Sequence, residues 1–170
     1  MFEFNLKKTI FVSLFVSIVF TLYFSVDTFA DESDSDLVKV VYHADFADPR
    51  RFSAMLTSIN NMATYYESDL QEYDIRIVFV AHGIRFLTDE KLLKTPFAED
   101  AAMAERRENN RGRLLSLNEV MSVKFELCDI TRSQIGLDKT NLYKGTDSVP
   151  SGVVRLVELQ QQGFSYIKIE

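Results

Sequence analysis

Three side chains in this 170-residue chain are suited to proton and group transfer: its one cysteine, Cys128, and its only two histidines, His43 and His82. Each ends an apolar run, "KVVYH", "IVFVAH" or "VKFELC". A thiolate is a nucleophile and a metal ligand, and an imidazole titrates near neutral pH. Gly83 directly follows His82 and reads as a turn glycine supplying a positive φ. After Cys128 comes "DITRSQIG", a stretch able to start a helical turn. A thiol there sits at the positive end of the turn, where its anion is favoured, and Arg132 adds a cation one turn on. Asp129 works the other way if its carboxylate faces the sulfur. The plain structural readings are a small buried hydrophobe for Cys128 and loop-capping imidazoles for His43 and His82.

Other chemistries lack their patterns. One cysteine and two histidines separated by tens of residues match no spaced ligand signature, so no metal is assigned. "AHGIRF" lacks the further glycines of a dinucleotide or P-loop motif, "GTDSVPSG" lacks the Gly-Lys-Ser/Thr order and reads as loop, and no cofactor is assigned. No Gly-x-Ser-x-Gly elbow is present. The formal net charge is −6, with 19 Lys and Arg against 25 Asp and Glu. An acidic chain without a basic stripe argues against nucleic acid as a partner. The basic cluster "ERRENNRGR" is interrupted by acids and asparagines and reads as a solvated helix end or loop.

The elements that must position these residues alternate. Residues 37–43 form a first strand buried on both faces. Asp48 and Pro49 then open a helix whose apolar positions are Phe52, Met55, Leu56, Ile59 and Met62. Residues 73–83 form a second strand ending in a His-Gly turn. A long polar region follows, read as helix pieces broken at Pro96 and near Gly112, with Leu114, Leu117 and Met121 on one face. Residues 123–128 are a third strand. The last pair is a helix begun near Pro150, with Val153, Leu156 and Val157 on one face and Gly163 as its stop, then the strand "FSYIKI". Such alternation implies right-handed crossovers and a mostly parallel sheet of four or five strands with helices on both faces, an α/β fold, flavodoxin-like in outline. In such a sheet all strand C-termini share one edge, where ligands bind, so His43, His82 and Cys128 are expected on one rim.

Residues 1–30 read as an address. Lys7 and Lys8 precede an uncharged run, residues 9–26, and a small residue follows at Ala30, the parts of a cleavable signal peptide. The run is nearly long enough to span a bilayer, so a retained N-terminal membrane anchor is the alternative. Residues 31–36 are an acidic linker, and residues 37–170 one domain outside the cytoplasm, periplasmic in a two-membrane cell. A lone cysteine there makes no internal disulfide and is buried, reactive or paired with another chain.

"KVVYH", "IVFVAHG", "VKFELC" and "VPSGVVRLVELQQQGFSYIKI", in that order and spacing, resemble the DsrE/DsrF-like family, specifically its small exported single-domain members. The resemblance implies a three-layer α/β sandwich, homo-oligomers such as trimers or hexamers, and a part in sulfur relay. Cys128 matches the position at which relay members carry sulfur as a persulfide, making it the catalytic candidate of a sulfurtransferase or persulfide carrier. His43 and His82 match histidines of exported members. With Gly83 and Arg132 they form the candidate substrate-binding set. The partner implied is a sulfur donor or acceptor protein, or a small thiol or polysulfide. After the cysteine this chain has "DIT" where many exported relatives have Asn-Thr-Leu. A different class of function also fits: an exported oligomeric module that binds a small ligand or assembles without turnover. There Cys128 is structural, and "TPFAEDAAM" and the Tyr65–Tyr66 pair are interface.

Overall fold

The computed structural model describes residues 37–170; the expected address at 1–30 and linker at 31–36 lie outside the described residues. Five strands and four α-helices alternate: β1 (Val38–Ala44), α1 (Pro49–Ser68), β2 (Tyr73–Phe79), α2 (Ala101–Met121), β3 (Lys124–Cys128), α3 (Asp129–Gln134), β4 (Thr146–Val149), α4 (Gly152–Gln161) and β5 (Ser165–Ile167). The five strands pair in parallel, in the order β4-β3-β2-β1-β5. The fold is the expected flavodoxin-like α/β architecture, with a fifth strand, β4, inside the stretch read as a loop. Among the described residues no helix is long and apolar enough to cross a membrane.

Strand order and handedness together determine which face each helix covers. The steps β1 to β2, β2 to β3 and β3 to β4 run in one direction across the sheet, so right-handed crossovers place their connections on one face. The step β4 to β5 runs back across the whole sheet and puts α4 on the other. Packing agrees. On the first face Tyr42, Ala44, Ile77, Phe79, Phe125 and Leu127 meet Phe52, Met55, Leu56 and Ile59 of α1 and Met103, Leu114 and Leu117 of α2. On the second, Val41 and Val78 meet Leu156, Leu159 and Phe164. Strand side chains alternate, so Asp74, Arg76, Glu126 and Cys128 also belong to this second face.

Local chemistry explains the helix ends. Asp48 Oδ1 accepts the Arg50 N–H at 2.7 Å, and Pro49 supplies a first residue that has no N–H to satisfy. Asp100 Oδ1 caps α2 through the Met103 N–H at 2.8 Å. Contrary to the expected break near Gly112, α2 runs unbroken for 21 residues. Gly112 faces open space, costing about 1 kcal/mol relative to alanine. On either side of it Asn110 donates to the Pro49 carbonyl at 3.0 Å and Arg113 to Ser53 Oγ at 2.6 Å, tying α2 to α1. Gly163, with φ +88°, ends α4 as expected. The apolar face of α4 differs from the expected one: Leu156 and Leu159 are buried, while Val153, Val154 and Val157 are exposed. "TPFAEDAAM" is not an exposed patch, because Met103 is buried and Phe97 packs on the core.

Candidate functional site

Cys128 is the last residue of β3 and pairs with Val149, the last of β4. The chain leaves β3 toward the first face and β4 toward the second, so a crevice opens between their C-terminal ends, the place where open α/β sheets bind ligands. Two helices start there. Cys128 stands at the N-cap position of α3, and α4 crosses the ends of β3 and β2 so closely that a Cβ on Gly152 would lie 3.0 Å from Cys128 Cβ and 2.6 Å from Val80 Cγ2. Only glycine permits that approach.

The sulfur does not close a regular cap hydrogen bond on α3. Burial, the largest single influence, pushes the Cys128 thiol up. The Gly152 N–H, then the N–H and hydroxyl of Thr131 and the N–H of Ile130, outweigh it and hold the thiol below its ordinary value. Thr131 is itself buried, and its Oγ1 accepts the Ala81 N–H at 3.2 Å. With that lone pair taken, the hydroxyl hydrogen is free to point at the sulfur. Ala81 is one of five non-glycine residues at positive φ among the described residues (+48°), turning the chain out of β2 so that its N–H meets Thr131. The Ser151 side chain makes no cap bond to α4, which leaves the first N–H groups of that helix unclaimed by it.

Asp129 does not oppose the thiolate with a free charge. Its carboxylate accepts from Arg132 Nε at 2.7 Å and lies 3.8 Å from Lys139 Nζ, and these cations hold it below its ordinary value. Arg132 is thereby engaged: besides Asp129 it donates to the Leu137 carbonyl. Thr131, Gly152 and Ala81 were not singled out from the sequence. The nearest signals were the threonine three residues after the cysteine and the Ser-Gly pair that opens the last helix.

Both histidines lie at the C-terminal edge, and His43 stands away from the crevice, two strands from Cys128. His43 is opposite Val78, and Cys128 is level with Val80, so two strand spacings across the sheet and two residues along it separate them, roughly 12 Å. His43 Nδ1 is hydrogen-bonded to Tyr166 Oη at 2.9 Å, and Asp45 beside it pairs with Lys168 at 2.9 Å, so this group pins β5 to β1. Burial lowers the His43 pKa most; Lys168 and Arg51 act with it and Asp45 against it. His82 follows β2 in a 3-10 turn, Ala81–Phe86, and packs edge-on to Phe97 at 5.3 Å between centroids. Gly83 does not supply a positive φ. Its hydrogen is needed for another reason: a Cβ there would lie 2.1 Å from the Ala44 carbonyl oxygen. A groove of about 580 Å³ between residues 89–95 and 135–141 contains none of Cys128, His43 and His82.

No curated protein matches the chain. Among solved structures, it is similar to MTH1491 from Methanobacterium thermoautotrophicum, described as a protein of unknown function, at 26% identity and a TM-score of 0.57, over 77% of this chain and 98% of that one. The ychN protein of E. coli gives 15% identity and a TM-score of 0.47 over the same shares. Residues 37–169 match the DsrE/DsrF-like family model, which spans every element from β1 to β5. The chain belongs to the DsrE/DsrF-like family, a membership that suggests a role related to sulfur relay.

Proposed function

We propose that Cys128 carries sulfur as a persulfide, making the protein a sulfurtransferase or persulfide carrier. The observation that carries this reading is the placement of Cys128 at the β3/β4 crevice, at the start of α3 and packed against Gly152 at the start of α4, where the N–H groups of Gly152, Thr131 and Ile130 favour its anion. The Cys128 thiolate attacks the outer sulfur of a donor persulfide, R–S–SH. A Cys128 S–S bond forms as the donor's S–S bond breaks, releasing RS⁻ and leaving Cys128–S–SH. An acceptor thiolate then attacks the outer sulfur and regenerates the Cys128 thiolate, with no net oxidation in either step. The same donors that face the thiolate serve a persulfide anion. His43, two strands away, has its Nδ1 engaged by Tyr166, and on this reading it acts at the rim rather than on the sulfur. Export to the periplasm, read from residues 1–30, is part of the proposal. So is homo-oligomerisation, for which the exposed Val153, Val154 and Val157 of α4 are the supporting surface.

Those same valines favour a second reading, in which the protein assembles without turnover and Cys128, 4% exposed, is packing. Intact mass after exposure to polysulfide, with Cys128→Ser as control, separates the two. Added sulfur on the parent protein, removed by reductant and absent from the variant, supports the carrier. A thiol that neither takes up sulfur nor alkylates before denaturation leaves the assembly reading.

A further inference from the structure

The second face of the sheet carries a charged cluster that its apolar neighbours do not require. Glu126 is 4% exposed and lies two residues before Cys128 on β3. Its Oε2 accepts from Arg155 Nε at 2.6 Å and its Oε1 from Arg155 Nη2 at 3.0 Å, a two-point fork, while Arg76 Nη1 reaches Oε1 at 2.8 Å. Arg76 is in turn held by Asp74 at 2.6 and 3.0 Å and lies over the Phe164 ring. Arg155 is three residues after Gly152, one turn into α4. The fork therefore ties β3 to α4 one turn from the place where Gly152 packs on Cys128.

Stability alone gives weak reason for such a cluster, because a buried ion pair can often be replaced by packed apolar side chains without loss. What it adds is direction. Apolar contacts such as Leu156 and Leu159 on Val41 and Val78 are non-directional and permit a helix to slide, whereas a planar guanidinium on a carboxylate fixes both distance and orientation. We infer that Glu126 and Arg155 are positioning residues, a clamp that sets the register of α4 on β3 and so holds the Gly152 N–H over the Cys128 sulfur. The inference rests on the reading of Cys128 as a reactive thiol. Neither residue touches the reacting atoms; both act through Gly152.

The test is the pH profile of Cys128 alkylation by iodoacetamide in the full chain, together with the urea midpoint, for the parent, Arg155→Lys, Arg155→Met and Leu159→Ala. Arg155→Lys keeps the cation and loses the fork; Leu159→Ala loosens α4 far from Gly152 while keeping the clamp. Both Arg155 variants are expected to move the profile to higher pH, with the thiolate fraction at pH 7 falling about threefold, as for partial loss of one charge-assisted hydrogen bond. Leu159→Ala loses stability without moving the profile. The Gly152 amide proton gives a second measure that tolerates a weakened fold. Its NMR shift follows Cys128 ionisation in the parent, and the response shrinks in Arg155→Lys. Arg155 variants with the parent's profile overturn the clamp, as does a profile moved by Met and not by Lys, which assigns the effect to charge. A parent profile no lower than that of the urea-unfolded chain defeats the reactive-thiol reading itself, and the clamp with it. A lowered parent profile with unmoved variants defeats the clamp alone.

Discussion

Gly152→Ala tests the crevice most directly. The added Cβ would lie 2.6 Å from Val80 Cγ2, 3.0 Å from Cys128 Cβ and 3.5 Å from Val78 Cγ1. Ordinary carbon contacts begin near ~3.5 Å, so the first turn of α4 must lift by about 1 Å. Val80 is β-branched and stiff, and Cys128 Cβ is fixed by the strand, so neither yields readily. Overpacking of this kind costs about 1–3 kcal/mol, offset by under 1 kcal/mol of helix propensity at a terminal position. The expected loss of stability is about 1–2 kcal/mol. The same lift withdraws the N–H that contributes most to the thiolate. A hydrogen bond to a charge is worth about 1.5–3 kcal/mol, and weakening it by about 1 kcal/mol reduces the thiolate population about fivefold. A more basic thiolate is more nucleophilic, so the alkylation rate below the midpoint falls only about two- to threefold. The midpoint of the rate–pH profile is the sharper readout, and it moves to higher pH. A variant that is destabilised yet keeps the parent midpoint refutes the role given to the Gly152 N–H. Parent-like behaviour in both measurements refutes the close approach.

Further consequences concern the neighbours of the crevice and the strand ends. Thr131→Val leaves the Ala81 N–H without its acceptor and removes a hydroxyl from the sulfur. A loss of about 1–3 kcal/mol and a higher alkylation midpoint are expected, and Thr131→Ser, which keeps the hydroxyl, restores both. Gly83→Ala drives a Cβ against the backbone oxygen of Ala44, with no flexible side chain to yield, so chemical denaturation should show a loss of about 3 kcal/mol or more. His43, whose folded pKa is lowered, takes up its proton in the unfolded chain first as pH falls below about 6.5. Stability therefore declines from there down to its folded pKa. Urea midpoints measured at pH 7.5 and 5.5 should fall in the parent and fall less in His43→Gln; parallel losses would contradict this assignment.

The strands, their alternation with helices and the edge they share were legible because four runs of buried β-formers are separated by capped or glycine-stopped helices. Asp48 with Pro49, and Gly163, mark their helix ends by local chemistry that tertiary packing does not alter. β4 was hidden because "TDSV" has no apolar run; it pairs with β3 alone. The unbroken α2 was hidden because Gly112 lowers helix propensity, while the contacts of Asn110 and Arg113 that hold it there come from another helix. On α4 the valines read as a core face by spacing, yet the sheet receives Leu156 and Leu159 instead, since the direction of the helix is set by the long return from β4 to β5. At the site the cysteine was legible and its donors were not. Gly152 follows Cys128 by 24 residues and reaches it only because β4 lies beside β3.

Exposure and acidity of the thiol are tied together by this geometry. The largest favourable influence on the thiolate comes from α4, and the largest unfavourable one is burial, to which α4 also contributes by covering the sulfur. A motion that lifts α4 uncovers Cys128 and weakens its anion at once; one that presses α4 down does the reverse. The α3 side behaves differently, because Thr131 and Ile130 follow Cys128 on the same short helix and move with it. A persulfide carrier, as proposed for this chain, needs a resting thiolate and brief access to it. A rigid α4, fixed by the Glu126–Arg155 fork, with a donor set divided between two helices, meets both needs better than a flexible helix that uncovers the sulfur by withdrawing the group that ionises it.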